Sequence, residues 1–339
     1  MKSALHAGKS VLGVLLKDLW RYHRALSSEG QEYLALCNRY ERLVAGPGGS
    51  GYRCDWRWTS QLHAPSVMPS LGLRLMERAL RDHPIRRAST PAHACDGPEI
   101  SFIIGHRGTE REPLLMATIA SIAAQEGVTV ECIVVEQDVE PRLAGRLPDW
   151  VTLVQTAPPT PQTPYNRSWA FNIGADSARG GILVLHDNDM LVPVDYAREI
   201  VGRVRQGYEV VNLKRFIFYL TEEHTREVLA ARAEYADASA QAIVQNLEAG
   251  GSVAITGDAF DQIGGMDESF VGWGGEDNEF WERAQTRRVW PYGYLPIVHL
   301  WHAPQPEKRG LGMQSGPARY GQLRALPVAE RIDRLKGLS

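Results

Sequence analysis

Two adjacent carboxylates, Glu276 and Asp277, follow a glycine-rich turn and give the strongest indication of chemistry in the chain. The turn reads Gly-Trp-Gly-Gly at residues 272–275. Its glycines allow the backbone to approach a ligand closely, and its indole offers an apolar face to a sugar ring. A carboxylate beside such a surface can accept a proton from a hydroxyl group, so Asp277 is the candidate general base. Acidic residues also favour helix starts because of the helix dipole, and that structural interpretation stays open.

A second acidic pair, Asp187 and Asp189, follows the apolar run at residues 182–185, and His299 and His302 lie farther along the chain. Imidazole ligands favour a transition ion such as Mn²⁺ over Ca²⁺, so we expect Mn²⁺ first and Mg²⁺ second. Such an ion can stabilise a leaving diphosphate as a Lewis acid. Turn-forming aspartates and buried structural histidines remain the alternatives. Residues three apart on a strand face opposite sides, so both histidines reach one ion only if the backbone turns between them.

Other polar side chains follow predicted strands or a predicted loop, in positions where the ligands of parallel sheets bind. They are His106, Arg107, Glu136, Asn166 and Arg167. Arg167 can offset phosphate charge at the start of a helix, with a surface arginine as the competing interpretation. Together with the two acidic pairs, these residues predict a metal-assisted transfer from a nucleotide-activated donor.

From residue 100 onward, short apolar runs alternate with helical patterns, which predicts an α/β fold with a mostly parallel sheet. Strands are expected at residues 100–104, 130–135, 151–154 and 182–185, and Gly250-Gly251 precedes a short run at 252–256. Helices are expected at residues 113–125, 168–179 and 222–248, and again from residue 276. The polar clusters named above would then lie at one edge of the sheet.

The first 97 residues are predicted to be mainly helical, with apolar residues at helical intervals over 11–22, 31–43 and 71–81. This part holds 14 basic and 8 acidic residues, against 23 and 32 in the rest of the chain. Such asymmetry is typical of contact with an anionic surface or a partner, although solvated helix faces produce similar counts. Trp56 and Trp58 could stack on a ligand, but structural packing is the preferred interpretation.

Composition narrows the class of protein. The chain has 339 residues, of which 44% are hydrophobic, and a net charge of −3, which suits a folded protein with a substantial core. The four cysteines form no Cys-x-x-Cys pair, which indicates reduced thiols in the cytoplasm and neither a zinc ribbon nor a disulfide framework. We expect no membrane-spanning segment and no secretory signal peptide. The expected division is a helical region at 1–97, a catalytic domain at 98–308 and a tail at 309–339.

Taken in order, these motifs resemble those of the GT-A glycosyltransferases, in particular the β-1,4-galactosyltransferase family and bacterial family-2 transferases with a galactosyltransferase-like C-terminal segment. The resemblance covers roughly residues 100–305. It is carried by Ile103-Ile104-Gly105-His106-Arg107, Val134-Val135-Glu136-Gln137, Tyr165-Asn166-Arg167, Asp187-Asn188-Asp189, Gly250-Gly251, Gly264-Gly265 and Trp273-Gly274-Gly275-Glu276-Asp277. Gly108-Thr109 departs from it, since animal relatives carry a further basic residue there.

The resemblance implies a GT-A fold and a set of roles. Asp277 would be the base, Glu276 with Trp273, Gly274 and Gly275 would hold sugar, and Asp189 with His302 would bind the metal. His106, Arg107, Glu136, Asn166, Arg167 and Asp187 would contact the donor nucleotide, and Asp187 would also be a metal ligand. His299 falls where some relatives use another metal ligand.

The implied activity is inverting transfer of a hexose or N-acetylhexosamine from a UDP-sugar to a glycan or glycoconjugate. Nucleic acid is not an expected partner, and the basic N-terminal region suggests peripheral contact with a membrane. A retaining N-acetylgalactosaminyltransferase and a noncatalytic sugar- or nucleotide-binding protein of the same fold remain alternatives.

Overall fold

The computed structural model describes residues 2–55, 59–92, 97–231, 240–272, 274–303 and 316–337. These residues form a seven-stranded sheet, a five-stranded sheet, a two-stranded hairpin and twelve α-helices. Trp56 and Trp58, whose packing the sequence analysis addressed, fall outside the described residues. So does Trp273, the predicted sugar-stacking residue.

The seven-stranded sheet confirms the mostly parallel sheet that the sequence predicts. Its spatial order is β13 (Val289–Trp290), β9 (Val210–Val211), β12 (Ser252–Thr256), β7 (Ile182–His186), β4 (Ile100–His106), β5 (Val130–Gln137) and β6 (Val151–Thr156). Among these strands, β12 alone runs against its neighbours. The central strands β4, β5 and β7 are rich in Ile and Val and buried along almost their whole length, as expected for strands covered on both faces.

Helices cover both faces of this sheet. Those that follow its strands are α5 (Glu112–Ala123), α6 (Arg167–Ser177), α7 (Tyr196–Arg205), α9 (Gly257–Gln262) and α10 (Glu276–Ala284). On β4, Phe102 shares one core cluster with Leu115 of α5, and Ile103 shares another with Phe171 of α6. Successive strand residues point to opposite faces, so α5 and α6 lie on opposite sides of the sheet. The helices predicted at 113–125, at 168–179 and from 276 are therefore confirmed.

A five-stranded sheet adds a second layer, and one element of it was predicted wrongly. Its order is β3 (Ser60–Gln61), β11 (Ala240–Gln245), β10 (Lys214–Leu220), β14 (Leu295–His299) and β8 (Met190–Leu191). The single helix expected over 222–248 ends early, because α8 covers only Glu222–Leu229 and β11 pairs with β10. Ile243 and Val244 are β-branched, and their pairing with β10 outweighs the helical pattern of the segment.

The N-terminal region contains four helices, α1 (Lys2–Lys17), α2 (Leu19–Ser27), α3 (His63–Val67) and α4 (Pro69–Asp82), and the hairpin of β1 (Leu43–Ala45) and β2 (Tyr52–Cys54). The helix predicted over 31–43 is wrong, since only a 3₁₀ turn forms at Glu32–Ala35. Arg215 explains the difference. It donates from Nε to the carbonyl of Leu34 (2.6 Å) and from Nη2 to that of Leu36 (2.7 Å), and these carbonyls are therefore not used within a helix.

One hydrophobic core joins the N-terminal region to the sheets. Val14 of α1, Leu75 of α4, Ile104 of β4 and Leu295 of β14 belong to the same buried cluster. The predicted boundary at residue 97 remains a prediction, and the boundary at 308 falls outside the described residues. None of the described helices combines the length and the apolar character needed to cross a membrane.

Two helices near the C-terminus pack against α10. They are α11 (Gly316–Leu323) and α12 (Val328–Leu335). Tyr320 of α11 donates to Glu282 Oε1 (2.6 Å), and Arg331 of α12 donates to Glu282 Oε2 (2.6 Å). Arg331 also lies 3.4 Å from the buried carboxylate of Glu279. The tail thus holds the helix that begins with Glu276 and Asp277.

Candidate active site

A cavity of about 670 Å³ lies at the carboxyl ends of β4 and β7, where parallel sheets bind their ligands. The predicted site residues that line it are Arg107, Arg167, Asp187, Asp189, Glu276, Asp277, His299 and His302. The remaining predicted residues whose side chains or turns are described, His106, Glu136, Asn166, Gly274 and Gly275, are not part of its lining. The structure therefore brings both acidic pairs and both histidines into one space.

The turn before α10 depends on its glycines. Gly275 has φ 93°, and a Cβ atom there would lie 2.6 Å from the carbonyl oxygen of Gly316 in α11. An L side chain would be strained in this conformation and would collide with the tail. The turn places Glu276 and Asp277 in the first turn of α10, where the free backbone N–H groups favour negative charge. Glu276 and Asp277 are therefore acidic residues at a helix start, as the structural interpretation expects, and they also line the cavity.

Arg167 is the charge on which the carboxylates converge. It donates from Nε to Asp187 Oδ1 (2.8 Å) and from Nη1 to Asp277 Oδ1 (2.5 Å), and Nη1 lies 3.8 Å from Glu276 Oε1. Its guanidinium also lies over the ring of Phe171, 4.6 Å from the centroid. Burial opposes its charge, but Asp187 and Asp277 outweigh that effect and raise the pKa of Arg167 well above its ordinary value.

Glu276 carries an unusual carboxyl group. Its side chain is buried, and Oε2 has no hydrogen-bond partner among the described residues. Burial, joined by the neighbouring charge of Asp277, raises the pKa of Glu276 to about 7, although Arg167 opposes the shift. Near neutral pH this group can therefore hold a proton or release one.

Asp189, His299 and His302 form a group that could hold a metal ion. One ligand atom from each lies within 4.8 Å of the others. His302 Nε2 is 3.2 Å from Asp189 Oδ2, and His299 Nε2 is 3.7 Å from Asp189 Oδ1. The strand β14 ends at His299, so His302 lies beyond its regular alternation, and Leu300 N–H donates to the Asp189 carbonyl (2.9 Å), which keeps this segment beside Asp189. Tyr219 stacks on the His299 ring with centroids 4.2 Å apart.

Asp187 stands apart from this group. Its carboxylate pairs with Arg167 and is not among the atoms that cluster around Asp189. Its backbone N–H donates to the carbonyl of Gly251 (2.9 Å), which fixes it beside the loop of Gly250 and Gly251. The metal role of Asp187 remains a prediction, and its position beside Arg167 also suits a contact with the donor nucleotide.

Arg111 is a site residue that the sequence analysis missed. Its Nη1 lies 3.3 Å from Asp189 Oδ2 and its Nη2 lies 2.9 Å from His302 Nδ1. The same Nδ1 is 2.8 Å from the Ala303 carbonyl oxygen. These two contacts need different tautomers, because the carbonyl requires an N–H while the guanidinium requires a bare nitrogen. No motif marks Arg111, whose only sequence signal is a position just before α5, after the first strand of the sheet.

Three residues that were predicted to contact the donor nucleotide, His106, Glu136 and Asn166, form hydrogen bonds within the protein. His106 is buried, with Nε2 2.7 Å from the Gly108 carbonyl and Nδ1 3.0 Å from the Asn188 amide nitrogen. Glu136 Oε1 accepts from the backbone N–H groups of Arg142 (2.8 Å) and Leu143 (3.1 Å).

Asn166 is the N-cap of α6. Its side chain accepts from Trp169 N–H (2.9 Å) and donates to the Glu268 carbonyl (2.8 Å). Arg107 does line the cavity, but its guanidinium donates to the carbonyls of Thr163 (2.6 Å) and Pro161 (3.2 Å). The nucleotide-binding roles of these residues remain predictions.

A glycine loop between β11 and β12 closes one wall of the cavity. Gly250 and Gly251 line it, and Gly251 has φ 80°. Lys214 fixes both ends of this loop, because its Nζ donates to the carbonyls of Glu248 (2.8 Å) and Ser252. Burial lowers the pKa of Lys214 to about 7. Lys214 is a second residue of the site region that the sequence analysis did not identify.

A comparison with protein families agrees with the expected resemblance. Residues 243–290, which include the glycine loop and the Glu276-Asp277 turn, match a family described as the N-terminal domain of galactosyltransferase. No curated protein is significantly similar to the chain. The match therefore identifies a galactosyltransferase-like segment in the chain, and this segment carries the glycine loop and the acidic pair that line the cavity.

The chain is also similar to several solved structures. The catalytic domain of Drosophila β1,4-galactosyltransferase 7 with xylobiose is 15% identical, with 65% of this chain and 79% of that chain covered and a TM-score of 0.38. S. aureus TarS 1-349 with UDP-GlcNAc is 12% identical, with 70% of each chain covered and a TM-score of 0.47. GalNAc-T7 with UDP, GalNAc and Mn²⁺ is 13% identical, with 73% and 54% covered and a TM-score of 0.49.

Proposed function

We propose that this protein transfers a hexose or N-acetylhexosamine from a UDP-sugar to a hydroxyl group of a glycan or glycoconjugate, with inversion at the anomeric carbon. The observation that carries the proposal is that one cavity is lined both by Asp277, a candidate base, and by the group of Asp189, His299 and His302. The match of residues 243–290 to galactosyltransferases supports the same activity.

The donor atoms of Asp189, His299 and His302 suit a divalent transition ion. One carboxylate and two imidazoles favour Mn²⁺, with Mg²⁺ as the second choice because it prefers oxygen ligands. Burial lowers the pKa of His299, so its ring is neutral at pH 7 and can offer a lone pair. A bound ion would supply Lewis-acid stabilisation of the leaving diphosphate.

Asp277 is the proposed base. It would take the proton of the acceptor hydroxyl while that oxygen forms a bond to the anomeric carbon and the bond from this carbon to the diphosphate breaks. The negative charge that develops on UDP would lie near Arg167 and Arg111, two guanidinium groups of the cavity. Glu276, adjacent to the base, would hold a sugar hydroxyl through its unpartnered Oε2.

Calorimetry tests the donor site without knowledge of the acceptor. UDP and a panel of UDP-sugars would be titrated with and without Mn²⁺ into the wild type and Asp189→Ala. We expect metal-dependent binding of UDP that Asp189→Ala abolishes and that Asp176→Ala, at an exposed position of α6, retains. Absence of binding to any uridine nucleotide would reject the UDP donor.

Turnover tests the base and the stereochemistry. An acceptor would first be found by screening glycans with the preferred UDP-sugar as donor. Asp277→Asn should then retain UDP binding and lose about 10²- to 10⁴-fold in transfer rate, because the base is removed while the shape of the side chain is kept. NMR of the product should show the inverted anomer. A retained anomer would favour the retaining N-acetylgalactosaminyltransferase, and full turnover by Asp277→Asn would exclude it as the base.

The place of the reaction in the cell is part of the proposal. The cytoplasm is the compartment that the scattered cysteines favour, and Cys37 and Cys132 are free thiols. Fractionation of cells that express the chain, with detection in the cytoplasmic and membrane fractions, would test this location.

A further inference from the structure

Five large apolar side chains are exposed along α1 and the start of α2. Their relative exposures are 40% for Val11, 56% for Leu12, 42% for Leu15, 68% for Leu16 and 60% for Trp20. At 100° per residue, the four positions on α1 fall within an arc of about 140°, which is a single face of the helix. We call these five residues the apolar strip. Contiguous exposed apolar residues of this kind mark a surface that binds something.

The opposite face of the same helices is packed normally. Val14 of α1 is fully buried, and Tyr22 and Ala25 of α2 belong to the main core. The helices are therefore fixed to the body of the protein by one face while the other remains uncovered. The apolar strip does not arise from a detached segment, and none of its residues lines the active-site cavity.

The exposed charged side chains that the structure describes on α1 and α2 are positive. Lys9, Lys17 and Arg24 have exposed side chains. Asp18, which joins α1 to α2, is the one acidic residue in the segment 2–27. It is buried, and its carboxylate lies 3.3 Å from Arg39 and 4.0 Å from Arg21. An occupant of this surface must therefore accept apolar side chains and carry negative charge.

These two requirements decide among the possible occupants. A second copy of the chain would place like charges against each other, and nucleic acid would leave the leucines in water. An anionic bilayer satisfies both, because its acyl boundary takes up apolar side chains and its headgroups attract lysine and arginine. We propose that the apolar strip binds the surface of an anionic membrane, with α1 lying in the plane of the interface.

Vesicle sedimentation with the full chain tests this proposal. We expect binding to vesicles of phosphatidylcholine mixed with phosphatidylglycerol, weaker binding as salt is raised, and little binding to phosphatidylcholine alone. The double variant Leu12→Ser/Leu16→Ser should reduce binding roughly tenfold or more, because two exposed leucines no longer enter the interface. Lys9→Gln/Lys17→Gln should reduce it by a similar factor through loss of charge.

Val139→Ser provides the matched control, since Val139 is an exposed apolar residue (44%) outside α1 and α2. It should bind vesicles as the wild type does, and UDP binding and circular dichroism should be unchanged in all variants. A failure of the proposed function would instead appear as loss of UDP binding in the wild type. Equal binding to neutral and anionic vesicles, or unchanged binding by both double variants, would overturn the membrane proposal. So would a dimer in sedimentation velocity that Leu12→Ser/Leu16→Ser dissociates, because the occupant would then be a second copy.

Discussion

Arg167 is shared by three carboxylates, and this arrangement links the two acidic pairs that lie about ninety residues apart in the sequence. Asp187 and Asp277 each accept from its guanidinium, and Glu276 lies just beyond. An acceptor hydroxyl that approaches Asp277 must therefore share the carboxylate with Arg167. The guanidinium can hold Asp277 in place through Oδ1 and leave Asp277 Oδ2 for the acceptor hydroxyl.

The raised pKa of Glu276 has a consequence for stability. The ordinary glutamate pKa is near 4.5 and that of Glu276 is about 7, so the folded state binds more protons than the unfolded state between these values. The free energy of unfolding should fall as the pH rises from about 4.5 to 7. Glu276→Gln removes this loss and should be more stable than the wild type at pH 8 by about 1 to 3 kcal/mol, but not at pH 4. Urea unfolding at both pH values would measure the difference.

Glu223→Gln is the control for this experiment, since Glu223 is exposed in α8. Its stability relative to the wild type should be the same at pH 4 and pH 8. If Glu276→Gln showed no greater pH dependence than Glu223→Gln, the buried carboxyl would not have the raised pKa on which the argument rests.

Arg111 should oppose metal binding in the absence of nucleotide. A metal bound at His302 Nε2 requires that Nδ1 carry the ring proton. An Nδ1–H group can donate a hydrogen bond to the Ala303 carbonyl, but it cannot accept one from Arg111. Arg111→Gln removes that contact and a positive charge beside Asp189, and the Kd for Mn²⁺ should fall roughly tenfold, equivalent to about 1.4 kcal/mol. Calorimetry with Mn²⁺ alone would measure it.

Arg107→Gln is the matched control, because Arg107 also lines the cavity but donates to the carbonyls of Thr163 and Pro161. It should leave the affinity for Mn²⁺ within twofold of the wild-type value. Weaker Mn²⁺ binding by Arg111→Gln would mean that the arginine positions His302 for the ion and does not compete with it.

At the scale of elements, the loop between β11 and β12 sets one wall of the cavity. Gly251 has φ 80°, and a Cβ atom there would lie 2.6 Å from Met190 Cε. Gly251→Ala should therefore strain the backbone by about 1 to 2 kcal/mol and displace the carbonyl that receives the Asp187 N–H. We expect a lower Tm and a Kd for UDP raised roughly tenfold, measured by calorimetry with Mn²⁺.

Gly181→Ala is the corresponding control. Gly181 is exposed and immediately precedes β7, and a Cβ atom there would meet nothing within 4 Å. Its Tm and UDP affinity should match those of the wild type. An unaffected Gly251→Ala variant would mean that Met190 moves aside and that the loop does not determine the position of Asp187.

At the scale of the whole molecule, Arg215 joins the N-terminal region to the five-stranded sheet. It is buried and donates to the carbonyls of Leu34 and Leu36 and to the side chain of Gln245. Arg215→Met would leave these buried acceptors without a partner, at a cost of about 1 to 3 kcal/mol for each one that water does not reach. We expect a Tm lower by several degrees, about 1 to 2 °C for each kcal/mol in a chain of this size.

Arg24→Met tests whether this effect is specific, since Arg24 is an exposed arginine of the same region. Its Tm should stay close to that of the wild type. A small, equal change in both variants would show that the N-terminal region is held by its apolar contacts alone.

The sequence by itself predicted β4, β5, β6 and β7 of the seven-stranded sheet and the start of α10, because apolar runs and a glycine turn are local signals. It did not predict the two-residue strands β9 and β13. It also predicted the galactosyltransferase-like segment, which the family match confirms over residues 243–290. It failed at 31–43 and in the second half of 222–248, where contacts to Arg215 and to β10 outweigh local helical patterns.

The composition of the site was decided only by the tertiary structure. The sequence predicted Asp189, His302, Glu136 and Asn166 all as site residues, yet Asp189 and His302 line the cavity while Glu136 and Asn166 bond to backbone groups. Arg111 carried no motif and lies beside Asp189 only because the chain folds back between them. Which side chains meet depends on contacts between distant parts of the chain, and local patterns hold no information about the distances across such contacts.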